Sequence, residues 1–375
     1  MSFSRGYSLV QGYIKPPIIL SFGTSLSLGT SAQLFGSEDV ASMVAIAGTD
    51  NVAACTNVMN SSQGVKGIDP ACSQLWQWTN GGASPRYVES NSRSLAAYGG
   101  NVYWGGRLAS GVPGLGCIDP SDGSSVFPVV NIYSQSGNQI NVTNNAICAN
   151  EDQLWCLLRD TFPQMTHVQF DLSDGSEVRR EYALSSTATF SFTFTNGLLI
   201  TSDTSGSIIS AWDPDTDSVI WSINCNSSDV STPSTIATGM NIQPSLDGSI
   251  VYVTRGGSYG SNTSPILMAL DAATGAELWA VDLSSVEYCN ASCGIYNGGV
   301  TIDKYGDIYV LCRVGSSGRV VRMTPDGGKV YISTDQGVSI AAGSGQYTTC
   351  LAVSEQSGIV YVGDTNGKIH TVIQA

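Results

Sequence analysis

The chain has 375 residues, 42% of them hydrophobic, so it is long enough to bury a large core. Only 12% are charged, against about 25% in ordinary domains, and the shortage of Glu, Lys and Arg argues against long helices. The net charge is -14, with 16 basic residues against 30 acidic ones, and neither Arg179-Arg180 nor the set Arg313, Arg319, Arg322 forms a stripe. A grip on nucleic-acid phosphates along an outer face is thereby excluded, whereas an acidic surface around a pore lets DNA slide past by like-charge repulsion.

The opening residues, MSFSRGYSLVQGYIKPPIILSFG, contain no apolar core of a secretory signal, because the run Pro16 to Leu20 is too short. No stretch approaches the ~20 apolar residues of a membrane span. The expectation is a protein made and kept in the cytoplasm, or one that leaves by lysis or a signal-independent route. Tyr7 to Phe22 holds one strand-like run, IILSF, preceded by Pro16 and Pro17, which suit an outer strand because an edge needs no N–H on its solvent side.

From Met43 onward one unit recurs. Two short strands joined by a polar turn come first: MVAIAGTDNVAACT, SLAAYGGNVYWGG, AICANEDQLWCLL, FTFTNGLLITSD, QPSLDGSIVYVT, GGVTIDKYGDIYVLC and CLAVSEQSGIVYVGD. Their turns carry Gly, Asn or Asp, which tolerate positive φ. The first strand of each pair is small and apolar, as an innermost strand near an axis must be. A second pair follows, clearest in ILMALDAATGAELWAVDL, Ile266 to Leu283. Partial copies are VKGIDPACSQLWQW, GLGCIDPSDGSSVF, HVQFDLSDGSEVRR, ISAWDPDTDSVIW and VVRMTPDGGKVYI, and the last, GKIHTVIQA, stops after one strand.

The shared positions are Asp69, Asp119, Asp171, Asp213 and Asp271, with Thr324 and His370 aligned to them in the weaker copies. The steps run from 42 to 58 residues, the period of four-stranded propeller blades. The predicted fold is therefore all-β: a single β-propeller of about seven four-stranded blades. Residues 41–375 form the wheel, and residues 1–40 form an N-terminal arm whose strand, within Tyr7 to Phe22, completes the last blade and closes the ring. Closure removes exposed sheet edges.

The copy LDAATGAELW resembles the repeat of the quinoprotein-dehydrogenase-like, or PQQ-like, β-propellers. The resemblance implies that the small-residue turn joins the two outer strands and that the Trp docks between blades. Trp76, Trp221 and Trp279 stand at that position, Phe127 replaces it once, and Arg179 and Ile332 occupy it in two other copies. The resemblance spans most of residues 43 to 373. Its enzymatic members resemble larger eight-bladed rings that stack a quinone on a disulfide between adjacent cysteines. This chain has no Cys-Cys pair, so the expectation is no cofactor.

Other chemistry is sparse. Asp213-Pro-Asp215-Thr-Asp217 starts like a calcium loop, but the sixth and twelfth positions are Ser218 and Asn224 instead of Gly and Glu, so it reads as a hairpin turn. His167 and His370 stand in strands without a recognisable partner motif, and no G-x-S-x-G elbow occurs. Cys55, Cys148, Cys156, Cys312 and Cys350 lie in apolar runs and read as reduced buried thiols. Cys289 and Cys293 share a polar loop that fits either a disulfide or half of a metal site. Most Trp and Tyr lie in strands and read as core. Tyr259, Tyr288, Tyr296 and Tyr347 lie in Gly/Ser-rich loops at blade ends and are the candidate interface residues.

Catalytic and metal sites are therefore predicted to be absent. The leading expectation is a non-enzymatic structural propeller, a virion tail component assembled in a host cytoplasm. In its propeller content it is similar to the nozzles or hubs of short-tailed phages, which line a DNA channel. Its partners would be adaptor or portal proteins, tail fibres or spikes, and other copies in a homo-oligomeric ring, without stable nucleic-acid binding. The alternative is a PQQ-like scaffold that binds proteins or an extracellular polymer at a cell surface, and a PQQ-dependent dehydrogenase comes third.

Overall fold

The structure is a computed structural model. It describes residues 21–22, 26–36, 40–56, 64–79, 94–107, 113–132, 146–159, 165–182, 189–203, 208–225, 241–255, 266–283, 294–314, 317–332, 338–339, 351–364 and 366–374. Among these residues there is no α-helix. The short charged complement is what permits this, because the apolar residues sit in runs of four to seven that alternate or lie wholly buried.

Two strands precede the repeats, β1 (Ser21–Phe22) and β2 (Leu26–Gln33). Blade 1 follows as β3 (Val40–Ala45), β4 (Val52–Thr56), β5 (Val65–Ile68) and β6 (Gln74–Trp78). Blade 2 is β7 (Leu95–Tyr98), β8 (Asn101–Arg107), β9 (Pro113–Ile118) and β10 (Ser125–Asn131). Blade 3 is β11 (Ala146–Asn150), β12 (Gln153–Arg159), β13 (Met165–Phe170) and β14 (Glu177–Tyr182). Blade 4 is β15 (Thr189–Thr195), β16 (Leu198–Asp203), β17 (Ile208–Asp213) and β18 (Ser218–Asn224). Blade 5 is β19 (Asn241–Pro244), β20 (Ile250–Arg255), β21 (Ile266–Asp271) and β22 (Glu277–Asp282). Blade 6 is β23 (Gly294–Ile302), β24 (Ile308–Val314), β25 (Ser317–Met323) and β26 (Lys329–Ile332), with β27 (Val338–Ser339) also on β25. Blade 7 is β28 (Leu351–Val353), β29 (Val360–Gly363) and β30 (Lys368–Gln374), completed by β2.

All blades are antiparallel meanders, and their first strands neighbour one another around a closed circle, from β3 to β28 and back to β3. The core is divided accordingly. Each of the seven seams between blades holds one hydrophobic cluster. All seven tryptophans are buried in these seams or beside them, as their strand positions predict.

Ring closure by the arm is observed, but not with the expected residues. The closing strand is Leu26–Gln33, which runs antiparallel to β30 from Leu26↔Gln374 to Gln33↔Lys368. Of the expected stretch, Ser21–Phe22 instead pairs in parallel with β26 of blade 6, and Pro16 and Pro17 lie outside the described residues. The polar run LSLGTSAQ wins for a physical reason. Leu26 buries in the seam between blades 6 and 7, and the Thr30 amide donates to Thr371 Oγ1 at 2.9 Å.

The alignment of the last copy also shifts. Val360 pairs with Val372 as Val52 pairs with Ile68, so the residue equivalent to Asp69 is Ile373, and His370 lies inside the strand.

Candidate interaction surface

The outer rim is built by one device used repeatedly. In blades 1 to 5 the third and fourth strands slip register by one residue, so that Leu75, Val126, Val178, Ile220 and Leu278 are bulged. A bulge twists its strand and re-aims the next side chain. Here the next residues are Trp76, Phe127, Arg179, Trp221 and Trp279, the docking positions of the repeat.

Three indoles reach across a seam and donate to the same carbonyl of the next blade, the one after the shared turn residue. Trp76 Nε1 meets Pro120 O at 2.6 Å, Trp221 Nε1 meets Ala272 O at 3.0 Å, and Trp279 Nε1 meets Pro325 O at 3.1 Å. Other donors replace the indole elsewhere. Arg179 Nη1 reaches Pro214 O at 3.2 Å, the Tyr103 hydroxyl reaches Leu172 O at 3.1 Å, and Thr30 Oγ1 of the closing strand reaches Pro70 O at 3.1 Å. Burial holds the Tyr103 hydroxyl protonated, with its pKa pushed up to about 12.

The shared aspartates explain themselves in the same turns. Asp119, Asp171, Asp213 and Asp271 each accept, on Oδ1, the N–H two residues ahead, at 2.8, 2.8, 2.8 and 3.1 Å. These are Asx turns, which hold the hairpin between third and fourth strands. The Ser173 hydroxyl and N–H keep Asp171 below the ordinary carboxylate range, and the Asp215 N–H does the same for Asp213.

In an antiparallel meander these turns and the hairpins between first and second strands emerge on one face of the wheel. Their carboxylates make that face acidic. Hairpins of adjacent blades are also tied to one another there. Glu151 accepts from the Asn196 and Gly197 amides at 2.6 and 3.2 Å, Tyr98 bonds Asp152 at 3.0 Å, and Asp50 accepts from the Ser357 amide at 2.7 Å. Three cations near this face are engaged: Arg179 with Asp215 at 2.7 Å, Arg322 with Asp307 at 2.5 Å, and Lys304 with Gln356 O at 2.5 Å.

The bulged residues have a second consequence. Leu75, Val126, Val178 and Ile220 are 50, 44, 56 and 48% exposed, although a solvent-facing edge needs no apolar side chain. Val219, beside Ile220, is 46% exposed. Each of four consecutive blades thus exposes an apolar side chain at the same position of its rim strand.

Of the four candidate tyrosines, Tyr259, Tyr288 and Tyr347 lie outside the described residues. Tyr296 lies in strand β23 and not in a loop, within an irregular stretch between Ile295 and Val300. Strand β23, which holds Tyr296, begins on the face opposite the Asx turns. Cys289, Cys293 and Cys350 also lie outside the described residues.

Both histidines are in strands. His167 is buried, stacks on Trp212 at 6.1 Å and meets Phe192 at 5.7 Å. Neither of its ring nitrogens has a hydrogen-bond partner, and burial lowers its pKa to about 4. His370 does have a partner, since its Nε2 lies 3.1 Å from Oδ2 of the buried Asp364. Asp364 also accepts from the Asn366 and Lys368 amides at 2.8 Å each, which makes it a turn anchor. That pair was not visible in the sequence, because the repeat alignment misplaced His370.

Cys55, Cys72, Cys117, Cys148, Cys156, Cys225 and Cys312 are free thiols, and burial pushes Cys55 up to about 12. None of these is adjacent to another in the chain, so the described residues do not fit the disulfide platform on which a quinone stacks. Among the described residues no group of His, Cys, Asp and Glu is placed to hold a metal, and no helix is long and apolar enough to cross a membrane.

Residues 204–373 match the family described as outer membrane protein assembly factor BamB, of PQQ-like repeat type. No curated protein sequence matches the chain. Among solved structures, the β-propeller domain of Cps50 (Swd1) from Myceliophteria thermophila is 13% identical, with a TM-score of 0.55 over 92% of this chain and 99% of that one. The Dos1 propeller is 12% identical, with a TM-score of 0.56 over 93% and 96%. At such identity the likeness shows the fold alone. The chain is a seven-bladed β-propeller, and its residues 204–373 resemble PQQ-like repeats.

Proposed function

We propose that the chain is a non-enzymatic interaction propeller, a structural subunit that joins other proteins into an assembly. The observation that carries this reading is the recurrence of an exposed apolar residue, Leu75, Val126, Val178 and Ile220, at one rim position of four consecutive blades. Exposed apolar side chains recurring at one structural position over four blades mark a contact surface. Tyr259, Tyr288, Tyr296 and Tyr347 are proposed as further contacts, since a tyrosine serves as an amphipathic anchor.

The specific assembly we propose is a virion tail, with the wheel as a nozzle or hub around the DNA channel. Two features support it. The Asx-turn face is acidic, so it repels DNA phosphates instead of retaining them. The chain is poor in Lys and Arg, which suits a passage for DNA better than a grip on it. Its partners would be portal or adaptor proteins, fibres or spikes, and further copies of itself.

Electron microscopy of the purified protein and of virions that carry it tests this reading. The expected result is a symmetric ring of copies located at the tail. A protein that stays monomeric at all concentrations and is missing from every particle would remove the virion reading.

One observation favours a second reading. The match over residues 204–373 is to a family described as an outer membrane protein assembly factor. By that likeness the chain would be a cell-surface or extracellular scaffold that holds a partner protein or polymer as a monomer. Catalysis ranks third, and a quinone absorption spectrum with dye-linked alcohol oxidation would be needed to restore it.

A further inference from the structure

The rim edges are not all alike. In blades 1 to 5 the fourth strand is bulged, and in blade 7 the register of β2 shifts between Leu28 and Ser31. Bulges twist an edge away and spoil its outward row of N–H and C=O groups, which protects it from strand addition. Blade 6 has no such shift. Its β26 pairs with β25 in plain succession, Val321↔Ile332, Arg322↔Tyr331 and Met323↔Val330. A straight edge of this kind can accept another strand through main-chain hydrogen bonds.

That edge already has an occupant. Ser21 pairs with Lys329 and Phe22 with Val330, in parallel. The chain then crosses to blade 7, where Leu26 begins the closing strand. Three residues make that crossing, and they span at most about 14 Å between Phe22 and Leu26. The arm therefore ties two outer edges that lie side by side.

We propose that the outer edge of blade 6 is a strand-acceptor site, and that in the assembly its occupant is the N-terminal segment of a neighbouring copy of this chain. The inference rests on the assembly reading above. The same pairs, Ser21↔Lys329 and Phe22↔Val330, form whether the arm comes from its own wheel or from the next, so exchange loses no hydrogen bond. The arm is also the chain's own segment that pairs with this edge. Next upstream in the sequence stands Ile18-Ile19-Leu20, whose apolar, partly β-branched composition favours strand formation.

The short crossing fixes the geometry of exchange. If the arm of one copy sits on blade 6 of another, its own blade 7 lies within about 14 Å of that edge. Copies then meet rim to rim, blade 7 of one against blade 6 of the next. Such a head-to-tail contact is heterologous, and it closes into a ring when the rotation permits.

Cysteine cross-linking between two populations tests the exchange. One full-length population carries Phe22→Cys, the other Val330→Cys, with different affinity tags. They are mixed, or co-expressed, and gently oxidised. Directly paired strand residues lie within disulfide reach. The unsubstituted protein is the control for the native thiols.

The expected result is a covalent heterodimer that carries both tags, and a ladder of larger species from the chain with both substitutions. Ser21→Cys with Lys329→Cys gives the same pattern by a second pair, should the first disturb folding. Cross-linking that occurs only within the doubly substituted chain, with no heterodimer, overturns the inference. If rings are then still seen by microscopy, the assembly reading stands and arm exchange alone is lost. If the protein is also monomeric, both are lost.

Discussion

The seam between blades 4 and 5 and the seam between blades 3 and 4 hold the same carbonyl with different side chains. In the first, the Trp221 indole donates to Ala272 O and lies over Gly275, whose φ is +73°. A Cβ there would come within 2.5 Å of the indole, so glycine is required twice, for backbone and for space. In the second, Arg179 donates to Pro214 O, and the equivalent turn residue is Asp217, with a φ of 52°. With no indole above it, the turn carries a side chain.

The second seam finds its apolar packing nearer the axis instead, in Trp155, Phe192, Phe194 and Trp212, with His167 stacked on the last. The comparison teaches that the repeat preserves a hydrogen bond and a wedge shape, while the residue that supplies them is free to change.

The largest expected effect separates the two docks. Trp221→Ala removes a buried ring from its cluster and is expected to cost about 4 kcal/mol, read from the denaturant midpoint. Arg179→Ala removes a guanidinium paired with an exposed Asp215 and is expected to cost less than about 1 kcal/mol. Equal losses would mean that the docks are energetically alike and that the comparison is mistaken.

His167 sharpens it through pH. Its folded pKa of about 4 lies below the ordinary 6.5, because burial opposes its charge. The unfolded chain therefore binds the proton first as pH falls. The stability that comes from keeping this ring neutral is fully present above pH about 6.5 and is lost as pH drops toward about 4. The loss approaches about 3 kcal/mol. Urea titrations at several pH values should show that slope, and His167→Phe should flatten it. An unchanged slope in the variant would place the acid sensitivity elsewhere.

Smaller effects come from the turns and the rim. Gly275→Ala is expected to cost about 2 kcal/mol through strain and contact with Trp221. Asp217→Gly should stay within about 0.5 kcal/mol, since that position lacks the indole. A thermal melt of each resolves the difference, and similar shifts in both would show that the indole imposes nothing. Val178→Ser and Ile220→Ser should leave stability within about 0.5 kcal/mol yet weaken assembly in sedimentation, which distinguishes a contact surface from an idle one.

Much of this wheel is legible in the residues themselves. The spacing of Asp69, Asp119, Asp171, Asp213 and Asp271 marks the blades because each turn needs a side-chain acceptor for its own backbone. Trp76, Trp221 and Trp279 mark the seams because a flat donor ring fills a wedge. The closing strand was hidden because Ser, Gly and Thr in Leu26–Gln33 have the composition of a loop, and their strand state depends on a partner more than 300 residues away. His370 was misplaced because the last copy lacks the turn that anchors the alignment. The apolar rim was present throughout as the residue before each docking position, in LW, VF, VR, IW and LW. A bulge cannot be seen until two strands are paired, so its meaning waited for the register.

Native-state amide exchange of Leu26–Gln33, followed beside that of Lys368–Gln374, tests the closed ring most directly. The two strands are predicted to exchange at the same slow rate, set by cooperative opening of blade 7. If the amides of Leu26–Gln33 exchange at once while those of Lys368–Gln374 stay protected, the ring is not closed by this strand and the account is wrong.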